Sequence, residues 1–80
     1  MTGKMMTPRQ REILQMLVDG EDIYWDGGRL VYIGLERTSV EMVYRLIRRM
    51  WIKQDGQSLN SPYWMITETG RQALKEAKGV

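Results

Sequence analysis

The sequence predicts an α+β domain with the order helix, hairpin, helix, hairpin, helix, on three observations. Three stretches carry apolar residues at helical spacing behind a capping residue. Two pairs of short β-branched and aromatic runs each close on turn-forming residues. A length of 80 residues leaves room for one core only. One domain over 1–80 is therefore expected, with 1–6 and 78–80 outside any periodic pattern and expected to be disordered.

The first helix starts at Thr7-Pro8-Arg9-Gln10. Thr7 caps it, Pro8 occupies the first turn where no amide bond is lost, and Gln10 completes a capping box. Ile13, Leu14, Leu17 and Val18 form its apolar stripe, and Asp19-Gly20 ends it. Ile23-Tyr24-Trp25 and Leu30-Val31-Tyr32-Ile33 flank Asp26-Gly27-Gly28-Arg29 and read as a hairpin, because tight turns need the positive φ that glycine tolerates. Gly34 ends the second strand.

Thr38 or Ser39 can cap a central helix over 39–50. Turning about 100° per residue, it puts Val40, Val43, Leu46, Ile47 and Met50 on one arc with Tyr44 and Trp51 at its margin, and Glu41, Arg45, Arg48 and Arg49 on the other side. Residues 51–66 read as a second hairpin: Trp51 to Gln54, a polar loop from Asp55 to Pro62, and Tyr63 to Ile66. Thr67 caps a closing helix through Ala77, which offers Ala73, Leu74 and Ala77 to the core.

Composition excludes several chemistries. The chain has no cysteine and no histidine, which removes disulfides, thiolate nucleophiles, the commonest metal ligands and the usual general base of hydrolytic triads. No enzyme, cofactor, metal or small-molecule substrate is expected. No apolar run reaches the roughly 20 residues that span a bilayer, and the start lacks a signal-peptide core, so a cytoplasmic protein is expected. Trp25, Tyr32, Trp51, Tyr63 and Trp64 are expected in the core or at its margin, and Tyr24, alternating with Ile23 and Trp25, is expected to face outward.

Charge is distributed unevenly although the net value is only +2. Asp19, Glu21, Asp22 and Asp26 lie together with no base among them, a solvated turn whose spacing fits no calcium loop. Arg37, Arg45, Arg48, Arg49 and Lys53 face only Glu41 over 37–53. A helix fits the major groove of DNA, and arginine can grip a phosphate or a guanine edge at two points. Arg45, Arg48 and Arg49 are suited to that task, Glu41 can pair with Arg45 or accept from a cytosine amine, and Ser39 can donate to a phosphate at the helix start. Lys53, Gln54 and Gln57 add donors from the second hairpin.

Residues 38–52, with Tyr44-Arg45-Leu46-Ile47-Arg48-Arg49-Met50-Trp51-Ile52 at their centre, and the stretch Tyr63-Trp64-Met65-Ile66-Thr67-Glu68-Thr69-Gly70-Arg71-Gln72-Ala73-Leu74 resemble the winged helix-turn-helix family of DNA-binding proteins. Thr7 to Leu14 is similar to the first helix of many such regulators. The resemblance implies a small winged-helix domain with a β-hairpin in place of the usual second helix. Ser39, Glu41, Met42, Arg45, Arg48 and Arg49 would then face the major groove, and 53–61 would form the wing. A small transcriptional regulator on double-stranded DNA is the function implied, and a protein-interaction module on the same scaffold is the alternative. A homodimer is compatible with either, through a terminal helix or the first hairpin.

Overall fold

The computed structural model describes residues 6–56 and 61–78. Its elements are α1 (Pro8–Val18), β1 (Ile23–Trp25), β2 (Val31–Ile33), β3 (Glu36–Thr38), α2 (Val40–Arg48), β4 (Ile52–Gln54), β5 (Tyr63–Ile66) and α3 (Glu68–Ala77). The described residues form an α+β fold, with three helices and one antiparallel sheet of five strands in the order β3-β2-β1-β5-β4. Its two hairpins are joined, because β1 pairs with β5 as well as with β2.

Helix starts follow the expected caps. The Thr7 hydroxyl accepts from the Gln10 amide at 3.1 Å and the Gln10 side chain accepts from the Thr7 amide at 3.0 Å, a complete capping box. Ser39 caps α2 and Thr67 caps α3 in the same manner, each accepting three residues ahead. In the β1–β2 turn Gly27 takes a φ of +94°, and the Trp25 indole N–H donates across the turn to the Gly28 carbonyl at 2.8 Å.

One strand is absent from the expected order. Gly34, at φ +61°, reverses the chain within two residues, and Glu36-Arg37-Thr38 returns along β2 as an edge strand. Its polar, charged sequence carries no apolar alternation, which suits an edge that must not recruit another chain. The termini also differ from expectation, since Met6 packs on the core and Lys78 closes α3 and bonds its ammonium to the Gln15 side chain. Residues 1–5 and 79–80, where disorder is expected, lie outside the described residues.

Alternation along the strands assigns the two faces of the sheet. Ile23, Val31, Ile33, Ile52 and Ile66 point to the helices and are buried with Ile13, Leu14 and Leu17 of α1, Val43 and Leu46 of α2, and Ala73 and Leu74 of α3. Burying each large aliphatic chain contributes about 1.5–3 kcal/mol, so this two-layer core is the main stabilising term.

Candidate nucleic-acid interface

The central helix is shorter than the sequence predicts, and its end explains why Met50 leaves the core. Arg49 is the C-cap, and Met50 adopts φ +64°, with its amide donating to the Ile47 carbonyl at 2.8 Å while the Trp51 amide donates to the Leu46 carbonyl at 3.0 Å. These two bonds define a Schellman ending, with Trp51 packed where its apolar partner belongs. Met50 stands in the left-handed position that glycine usually fills, so it projects outward at 69% exposure. Periodicity assigns it to the core only if the helix continues.

Val43 and Leu46 bury one face of α2, and Val40, Met42 and Ile47 pack at the margin. The opposite face is an arc of about 100° holding Tyr44, Arg48, Glu41 and Arg45, all exposed. Arg45 and Arg48 form no ion pair among the described residues, and the expected Glu41–Arg45 pair is not formed. The ion pairs instead centre on Arg9, which bonds Glu12 at 2.6 Å and Glu36 at 3.0 Å, fastening α1 to the edge strand; these bonds hold its charge firmly.

Other predicted site residues are distributed differently. Met42 is half-buried against the core, not turned to a groove. Ser39 is exposed, but its oxygen accepts from the Met42 amide at 3.3 Å as the cap. Arg49 lies over the Trp51 ring, 5.6 Å from its centroid, so its charge is held at the C-terminal end of α2. Lys53 pairs in register with Met65 on the sheet face turned from the helices, away from Arg45 and Arg48. Gln54 is half-buried and donates to the Ser61 carbonyl at 3.1 Å. Gln57 lies outside the described residues.

One residue belongs to this surface that the sequence reading leaves out. Tyr44 is 52% exposed and meets Trp25 edge to face, ring centroids 5.3 Å apart, which fixes the solvent face of α2 against the first hairpin. The available signal was the spacing of Tyr44 one turn before Arg48; counting Tyr44 with the apolar arc hid it. Trp25 and Trp64 are half-buried, 6.0 Å apart, as expected of residues at the core margin.

Among the described residues no group of histidine, cysteine, aspartate or glutamate could hold a metal ion, and no helix is long and apolar enough to cross a membrane. Compared with family models, with curated proteins and with solved structures, the chain finds no match.

Proposed function

We propose that the protein is a winged-helix reader of double-stranded DNA, a small transcriptional regulator that docks the exposed face of α2 in the major groove with the β4–β5 hairpin beside it. The observation that carries this reading is the pair Arg45 and Arg48, exposed on the anchored helix with no carboxylate neutralising them among the described residues. Guanidinium groups held on a rigid helix and left unpaired are pre-organised for phosphate oxygens and guanine edges. Glu41 between them supplies an acceptor for a cytosine amine, and the Tyr44 hydroxyl supplies a further donor to the backbone.

The test is binding to a random-sequence duplex pool followed by selection, at several salt concentrations. Affinity should fall steeply with salt, because each neutralised phosphate releases about 0.9 of a counterion. The double variant Arg45→Ala/Arg48→Ala should bind about 30-fold or more weakly, with a shallower salt slope and an unchanged thermal melt. Equal binding by the parent and the double variant would sink the proposal.

A further inference from the structure

The sheet face turned away from the helices carries an unusual row. Register places Tyr32 opposite Arg37, Tyr24 opposite Tyr32 and Tyr63 opposite Tyr24, and the Asp55 amide donates to the Tyr63 carbonyl at 2.7 Å, which continues the row onto the last strand. Read across the five strands it runs Arg37, Tyr32, Tyr24, Tyr63, Asp55. Strands with one solvated face ordinarily put polar residues there, whereas on this one three tyrosines stand side by side on neighbouring strands. Tyr63 is 47% exposed, and the Tyr24 and Tyr63 rings meet edge to face with centroids 5.5 Å apart, so they form a continuous aromatic surface that, among the described residues, no helix covers.

The row has a cation at one end, a carboxylate at the other, and Tyr24 at its centre. Half a turn about an axis along β1 maps each end onto the other. We propose that this face binds a second copy of the chain, sheet against sheet, with Arg37 of each protomer over Asp55 of its partner, Tyr32 against Tyr63 and Tyr24 against Tyr24. Charge complementarity favours this occupant. A single strand of nucleic acid would meet Asp55 and Asp22 on the same face, and these offset the two bases Arg37 and Lys53. Asp22, two residues before Tyr24 on the same side, falls near the axis and faces its own copy, so its charge opposes the association.

Five strands at about 4.8 Å give a face roughly 19 Å across, smaller than a standard interface of about 800 Å² per partner, and the dimer should be weak. The association does not rest on the DNA-binding reading.

Sedimentation equilibrium without DNA tests it, at roughly 10 µM to 1 mM protein, as a weak interface requires. The mass should rise from 9.4 kDa toward twice that value. Arg37→Asp and Asp55→Arg should each remain monomeric, an equimolar mixture of the two should associate again, and Asp22→Asn should associate more tightly than the parent. Melting curves establish that each variant folds. Concentration-dependent shifts of the Tyr24, Tyr32 and Tyr63 ring resonances of the unaltered protein give a readout that needs no variant. A parent that stays monomeric, a mixture that does not re-associate, or tyrosine shifts caused by a single-stranded oligonucleotide and not by protein concentration would overturn the proposal.

Discussion

Replacing Gly70 by alanine should destabilise the protein strongly, although the same change in most helices does the reverse. Gly70 sits in the first turn of α3, where alanine is intrinsically better than glycine by about 1 kcal/mol. A Cβ built there would stand 2.4 Å from the Trp51 carbonyl oxygen and 2.8 Å from Ile66 Cγ1. The first distance is about 1 Å inside an ordinary contact, and its partner is backbone, which cannot swing aside. The helix start must therefore move away from Trp51. It is tied there by the Thr67 amide donating to the Trp51 carbonyl at 2.8 Å and the Thr67 hydroxyl donating to the Met50 carbonyl at 2.6 Å.

Overpacking costs about 1–3 kcal/mol and each of the two hydrogen bonds at risk about 0.5–1.5 kcal/mol, so after the propensity gain the net loss is about 1–5 kcal/mol. For a domain of this size that lowers the melting temperature by roughly 5–30 °C. Calorimetry or a circular-dichroism melt measures it, with Thr69→Ala, exposed in the same turn, as a control expected within about 0.5 kcal/mol of the parent. If Gly70→Ala melts at or above the parent temperature, the close approach of α3 to Trp51 is wrong, and with it the placement of the α2 end.

Two further changes test other parts of the fold. Met50→Gly removes a side chain from the left-handed position at little packing cost and should raise stability by about 0.5–1 kcal/mol, seen as a higher urea midpoint at unchanged slope. Partial desolvation raises the Asp22 carboxyl above its ordinary pKa although the residue is exposed, with Asp55 and Glu21 adding to the effect, so the folded state takes up this proton more readily than the unfolded chain. The ionised carboxylate therefore costs stability above its folded pKa, and the cost shrinks as pH falls from that value and is gone below the unfolded pKa. Asp22→Asn should be the more stable protein in urea at about pH 7, with the difference gone near pH 3, when folding is measured at low protein concentration.

Capping chemistry made the helix starts legible: Thr7 and Thr67 stand where the sequence puts them, and Ser39 is one of the two candidates it offers for α2, because each pattern is local. The two hairpins were legible for the same reason, as the Gly27 turn and the alternation around it are short-range. β3 was not, because Glu36-Arg37-Thr38 derives its strand character from pairing with β2 and not from its own side chains. The fusion of the hairpins through β1 and β5 is a tertiary fact with no local signature. For the candidate site, periodicity found the exposed Arg45 and Arg48, but it could not show that Met42 packs inward or that Lys53 belongs to the opposite face of the sheet.

The first hairpin and β3 precede α2 directly, and the contacts around α2 show how the sheet holds that helix in place. At its start, Ser39 caps α2 directly after β3, whose Glu36 is tied to Arg9 of α1. Midway, Trp25 braces Tyr44 while its own indole N–H is held by the Gly28 carbonyl. At its end, the Schellman turn passes into Trp51, whose carbonyl receives the Thr67 amide and whose neighbour Met50 receives the Thr67 hydroxyl. The Ile66-Thr67-Glu68-Thr69-Gly70 stretch thus holds α2 in position: Thr67 and Gly70 let α3 approach the chain just beyond α2. A helix braced at its start, middle and end loses little orientational freedom on meeting a ligand, so Arg45 and Arg48 need no further ordering of their scaffold.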